Sequence, residues 1–213
     1  MNNNYSNILK LIDTYCSLHK ISLKLEEKMS IASFDSKHGR HFISAISDLD
    51  VIALDNIAHS VVRLVYLPQS NKESDSPASV DAFLIDGEGK WYFIEFKNQK
   101  ISGTKYKCIE KAYSNMFWLI NILLEMKDKF PIDDFDYNHP FDFFKKNCEF
   151  ILVIGNNCDD LGLSKYRECK KAHYPLPENC NFLFKLESYV FKKAIVYNET
   201  QFDELFVKNF SYE

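Results

Sequence analysis

Val80 to Asn98, VDAFLIDGEGKWYFIEFKN, decides the fold, because two apolar runs flank a turn whose chemistry fixes how they pair. Asp86-Gly87-Glu88-Gly89-Lys90 matches a three-residue hairpin loop, a type I turn closed by a glycine in the left-handed conformation that makes a G1 bulge. Asp86 then pairs with Lys90, which sets Ile85 opposite Trp91, Phe83 opposite Phe93, Asp81 opposite Glu95 and Ser79 opposite Lys97. Side chains alternate across a strand, so the other face carries Val80, Ala82 and Leu84 against Phe96, Ile94 and Tyr92.

A hairpin apolar on both faces belongs in the middle of a covered sheet, where three charges at one end are costly unless compensated. Two carboxylates directly opposite, with Cβ atoms roughly 5 Å apart, repel and call for a cation. Lys97 neutralises one of them. A hard divalent ion held by carboxylates and a backbone carbonyl satisfies both and keeps room for water, so Mg2+ or Mn2+ is the expected cofactor. The plainer reading is a structural ion pair at a sheet end, since Asp followed by Glu-x-Lys arises often by chance. The register, the apolar surroundings and the downstream pattern favour a catalytic site.

The chain has 213 residues, 46% of them apolar, enough to bury one good core in a single domain. Met116 to Leu124 is the most apolar run, but it is short and contains Asn121. The N-terminus, MNNNYSNILKLIDTY, has no basic region followed by an apolar core and a cleavage site, so a soluble, cytoplasmic protein without membrane contact is expected. Six cysteines without a secretory signal are expected as reduced thiols. The net charge of -4 argues against an electrostatic coat on nucleic acid, leaving any such contact to a local patch. Lys97, Lys100, Lys105, Lys107 and Lys111 form one beside the hairpin, against the single acid Glu110. The cluster Lys165, Arg167, Lys170 and Lys171 reads equally well as a solvated helix face.

Helical spacing over Tyr5 to His19 predicts an N-terminal helix, and Leu23 to Met29 extends it or forms a short second one. Asp35 to Arg40 reads as a loop. Ser47 is a plausible N-cap for a helix from Asp48 through Val51, Leu54, Ala58 and Val61. Ser60 to Leu67, rich in β-branched residues and stopped by Pro68, is expected as the first strand of the sheet. Thr104 to Met126 predicts a long helix, and Phe150 to Ile154 a strand buried on both faces, reached by a right-handed parallel crossover. Between them, Phe130 to Phe144 alternates aromatics with acids: an insertion, a lid or a protein-partner surface, or more simply a loop packing its own phenylalanines. Phe182, Phe184 and Leu186 alternate as a strand, Ala194 to Tyr197 suggests another, and Thr200 with Asp203 resembles the capping box of a final helix.

The order of an acid on one strand, Glu-x-Lys on the next, then a helix and a parallel strand resembles the PD-(D/E)XK, or restriction-endonuclease-like, superfamily. The resemblance covers about Asp48 to Gly155, and its firm motif is Asp81 with Glu95-Phe96-Lys97. It implies an α/β fold with a mixed central sheet flanked by helices, an αβββαβ core over about 48–155. A helical extension over 1–47 and an addition over 156–213 complete the single domain. It implies that Asp81, Glu95 and the Phe96 carbonyl bind the metal, and that Lys97 orients or deprotonates the attacking water. Val80, rather than proline, precedes Asp81, and Pro77 is too distant to replace it. The acid that such proteins carry on a preceding helix falls by position on Asp55 or Asp50, with Glu26 and Glu27 as outsiders. Gln99, Asn98, Lys100, Lys105 and Lys107 are the candidates for phosphate contact.

The expected activity is metal-dependent hydrolysis of DNA phosphodiesters. Two rivals stand beside it: a nuclease-like fold that only binds nucleic acid or protein, and an interaction protein using Phe130 to Phe144. Cys158, Cys169, His173 and Cys180 offer soft ligands but lack a close Cys-x-x-Cys pair. His38 and His41 flank Arg40 in the expected loop and, with the isolated His19, His59 and His139, read as surface or packed histidines. Neither a Ser-His-Asp arrangement nor a phosphate-binding glycine motif is recognisable.

Overall fold

The hairpin forms in the register its turn dictates. In the computed structural model, which describes residues 4–42, 49–69, 72–158, 163–172 and 180–212, Ile85 pairs with Trp91, Leu84 with Tyr92, Phe83 with Phe93 and Ala82 with Ile94. Gly89 takes φ +78, and the Asp86 amide donates to the Lys90 carbonyl at 3.1 Å. The Asp86 carboxylate accepts from the amides of Glu88 and Lys90, which locks the loop from within.

In chain order the elements are α1 (Asn4–Leu18), β1 (Glu26–Lys28), α2 (Met29–Ala32), β2 (Phe34–Asp35), β3 (Arg40–His41) and β4 (Asp50–Ile52). α3 (Leu54–Ile57), a π-helical turn (Ala58–Val62) and α4 (Arg63–Tyr66) then run on without a break. β5 (Ala82–Ile85), β6 (Trp91–Lys97), α5 (Ile101–Met126), α6 (Pro140–Asn147) and β7 (Cys148–Ile154) follow. The chain closes with α7 (Leu163–Ala172), α8 (Asn181–Tyr189), β8 (Lys193–Asn198) and α9 (Glu199–Leu205).

Six strands form one mixed sheet in the order β1-β4-β5-β6-β7-β8, antiparallel from β1 to β6 and parallel from β6 to β8. Every residue of β5 and β7 is buried, as expected of interior strands covered on both sides. On one face, Phe83, Trp91 and Phe93 meet a cluster of Phe135, Phe143, Phe144 and Phe191. On the other, Tyr92 packs against Phe206 and Phe210, and Phe96 against Phe202 and Phe42. Helices flank the sheet, with α5 against β6 and β7 and α9 against β7 and β8.

Several local expectations give way to tertiary context. Ser60 to Leu67 is helical, not a strand: Val61 and Val62 are buried while Leu64, Tyr66 and Leu67 stay exposed, and the strand beside β5 is the three-residue β4. The helix expected from Asp48 therefore begins only at Leu54; its proposed cap, Ser47, lies outside the described residues. Glu26 to Lys28 is not helical but an edge strand on β4, so the segment 1–47 is not wholly helical and supplies a strand of the same sheet. Asp35 to Arg40 is no plain loop, because β2 and β3 pair across it. Phe182, Leu183 and Leu186 are the buried positions of a helix, α8, with Phe184 turned outward. α9 is capped by Asn198, not Thr200: the Asn198 side chain accepts from the Gln201 amide at 2.8 Å and Gln201 reaches back to the Asn198 amide.

Ile132, Phe135, Phe143 and Phe144 of the acidic aromatic segment are buried, so this stretch packs its own aromatics under Trp91. Among the described residues no helix is long and apolar enough to cross a membrane.

Candidate active site

The ladder between β5 and β6 ends one residue short of Asp81, and the way it ends builds the site. The Val80 amide, fully buried, donates to Asn115 Oδ1 of α5 at 2.6 Å instead of to the neighbouring strand. Asn115 Nδ2 donates in turn to Ser79 Oγ at 3.1 Å. An amide N–H can only donate, so the orientation of the asparagine is set by its partners. The Phe96 amide, beyond the last residue paired with β5, donates to Asp81 Oδ2 at 2.7 Å. Asp81 thus caps the ladder with one oxygen and presents the other beside Glu95.

That second oxygen meets an ammonium. Lys111, on the inner face of α5, donates from Nζ to Asp81 Oδ1 at 3.2 Å and to Glu95 Oε2 at 2.9 Å. Lys97, the last residue of β6, pairs with Glu95 Oε1, and its Nζ lies 3.4 Å from the Phe96 carbonyl oxygen. Glu95 is completely buried, whereas the side chains of Lys97 and Lys111 keep 17% and 18% of their surface exposed. Both lysines therefore hold a carboxylate inside the protein while reaching its surface.

Burial, with Asp81 adding to it and Lys111 and Lys97 opposing, pushes Glu95 up to about 7. Asp55, near the start of α3, is pushed up to about 6, again chiefly by burial, with Asp81 adding to it and Lys111, His59 and Lys97 opposing. Burial pulls Lys111 down but is outweighed by Glu95, Asp81 and Asp55, so the net displacement is upward and the ammonium stays protonated. Three carboxyl groups and two ammonium groups share this end of the sheet.

A cleft of about 330 Å3 opens on it. Asp55, Asp81, Phe96, Lys97, Gln99 and Lys107 line it, together with Phe34, Asp35, Lys37 and His38 of the β2–β3 hairpin. Asp35 Oδ2 and His38 Nδ1 lie 2.6 Å apart, and Asp35 Oδ1 accepts from the Lys37 amide at 3.0 Å. The hairpin of β2 and β3 is therefore one wall of the cleft.

Of the candidates drawn from the sequence, Asp81, Glu95, Lys97 and Asp55 converge, and Gln99 and Lys107 line the same cleft. Lys100 and Lys105 do not line it; Lys105 lies over the ring of Tyr106. Lys111 is not part of an outward phosphate patch but an inner partner of the acids. Asp50 pairs with Lys28 at 2.8 Å and Glu26 accepts from the Tyr5 hydroxyl, so neither serves as the helical acid. Sequence reasoning missed Asn115, the role of Lys111 and the Asp35–His38 pair. Thr104, Cys108, Asn115 and Trp118 are buried at helical spacing on α5, and Lys111 shares that stripe. A lysine and an asparagine on an otherwise apolar helix face were the available signal.

Among the described residues no three His, Cys, Asp or Glu side chains are grouped to hold a metal ion. The six cysteines are thiols rather than disulfides, and His173 lies outside the described residues. The donors at the site still suit a hard divalent ion in kind: the carboxylates of Asp81 and Glu95, with the Phe96 carbonyl close to Lys97. The bridging position between the two carboxylates is taken by Lys111. No family model, no curated protein and no solved structure matches the chain.

Proposed function

We propose that this chain is a metal-dependent phosphodiesterase acting on DNA, built on a restriction-endonuclease-like αβββαβ core. One observation carries the reading: Asp81, the buried Glu95 and Lys97 gather at the end of a buried hairpin, where Asp81 and Lys97 line a cleft that also receives Asp55 from a helix. Antiparallel β4, β5 and β6 followed by α5 and parallel β7 support the fold part of it.

Asp81, Glu95 and the Phe96 carbonyl would hold Mg2+ or Mn2+, with Asp55 on the same cleft. When bound, the ion supplies Lewis acidity toward a phosphoryl oxygen and a counter-charge for the leaving oxygen. Lys97, mostly shielded and itself the last residue of β6, would orient the attacking water beside the acids. Lys37 and Lys107, which both line the cleft, would offer cationic contacts to a phosphate backbone, and Gln99 an amide donor. Asn115 and Ser79 keep the Asp81 backbone from following β5 back onto β6.

The test is cleavage of plasmid DNA by purified protein with Mg2+ or Mn2+, expected to disappear with chelator and in Lys97→Ala. Cleavage untouched by either would refute the assignment. A second reading, a nuclease-like module that binds DNA or protein without cutting, is favoured by the Lys111 bridge, which already balances the acid pair. DNA binding without metal uptake would support it.

A further inference from the structure

We infer that Lys111 is a resident counter-cation that competes with divalent metal for the Asp81–Glu95 pair, so that the metal binds only as the ammonium withdraws. The inference rests on the phosphodiesterase reading and adds to it a built-in control on metal uptake.

Asp81 and Glu95 come together just past the end of the β5–β6 ladder, and a carboxylate pair so placed needs positive charge between its members. Lys111 provides it with one hydrogen bond to each acid, at 3.2 and 2.9 Å. A divalent ion bridging the same oxygens would occupy that position, and an ammonium and a dication cannot share it. Lys97 cannot take over the role, since it contacts Glu95 from the other oxygen.

Lys111 can leave where a shorter residue could not. It stands on a helix behind the acids, it reaches them through a flexible four-carbon stem, and part of its side chain remains exposed. Lys107, one turn earlier on α5, lines the cleft, so a Lys111 side chain turned that way would meet solvent or a substrate phosphate. Asp55, Asp81 and Glu95 carry up to three negative charges against the two of Lys97 and Lys111. Removing Lys111 therefore widens the deficit from one positive charge to two, which a dication would balance.

The experiment is Mn2+ binding to the full chain, read by electron paramagnetic resonance and calorimetry, in wild type and Lys111→Gln. Mn2+ is expected to bind at least about tenfold more tightly to Lys111→Gln, with Glu95→Gln abolishing that gain. Equal affinity in the two folded proteins overturns the inference. Should Lys111→Gln not fold, the wild type decides the matter through the lysine ammonium 15N signals. The Lys111 signal, protected from exchange by its two acids, is expected to shift or vanish as Mg2+ binds, and its persistence through saturation overturns the inference. Wild type that cleaves DNA with Mg2+ while Lys111→Gln binds no tighter refutes only the role of Lys111. Failure of both proteins to bind Mn2+ at millimolar concentration refutes the phosphodiesterase reading together with it.

Discussion

Asn115→Ala tests how the site is held together. The substitution removes the acceptor of the buried Val80 amide and the donor to Ser79, and it leaves a small cavity on the inner face of α5. An orphaned buried N–H costs about 1–3 kcal/mol. Ser79 retains a 3.2 Å contact to the Val80 carbonyl, so its own loss adds less. With the cavity, the expected destabilisation is about 3 kcal/mol, which a domain of ordinary stability survives. Urea denaturation at neutral pH, with an unchanged denaturant slope, measures it. Because the bracket sits next to Asp81, the folded variant is also expected to cleave DNA about a hundredfold more slowly, the usual consequence of misplacing a catalytic group by about 1 Å. A stability loss below about 1 kcal/mol, or a full loss with cleavage unchanged, would show that Asn115 does not position the acid.

The remaining predictions concern charge and backbone. Glu95 at about 7 and Asp55 at about 6 both stand above ordinary carboxylates, so in chelator the native state binds protons that the unfolded chain has released between about pH 4 and 7. Stability is therefore lost as pH rises through that window; converted at about 1.4 kcal/mol per pKa unit, the Glu95 share is at most about 3 kcal/mol. Denaturation from pH 4 to 8 should show Glu95→Gln gaining on wild type as pH rises, and parallel curves would contradict the assignment. The upward displacement of Lys111 acts in the same sense, because the native state keeps a proton that the unfolded chain releases, but only above about pH 10, where an unfolded lysine begins to titrate. Gly89→Ala puts a side chain at φ +78 and a Cβ 3.2 Å from Asn4 Nδ2. It is expected to cost about 1 kcal/mol and a few degrees of melting temperature, and a melting temperature equal to wild type would argue against the left-handed turn.

The hairpin was legible in the chain because a turn is a local object. Asp86 to Lys90 determines its own conformation, and a period of two then carries every residue from Ala82 to Ile94 to its partner and brings Asp81 and Glu95 to the same end of the ladder. The long helix and the apolar strand after it were legible for the same reason, since each repeats one pattern over many residues. Three of the site's groups followed at once from that register, whereas Asp55 was one of two positions, with Asp50, that the resemblance offered.

Short elements did not announce themselves. β1 and β4 are three residues each and β2 and β3 two each, too few for a period to emerge, and they exist because a neighbouring strand or turn supplies their hydrogen bonds. Ser60 to Leu67 and Phe182 to Leu186 carry residues that suit either state, and the burial of Val61, Val62, Leu183 and Leu186 against the rest of the protein decides for helix. From sequence alone come the register of the hairpin and with it the meeting of Asp81 and Glu95, because both depend on a turn that closes over five residues. Only the tertiary structure decides which cation answers them, because Lys111 reaches the pair through the packing of α5 against the sheet, a contact spanning 30 residues for Asp81 and 16 for Glu95 that no local pattern encodes.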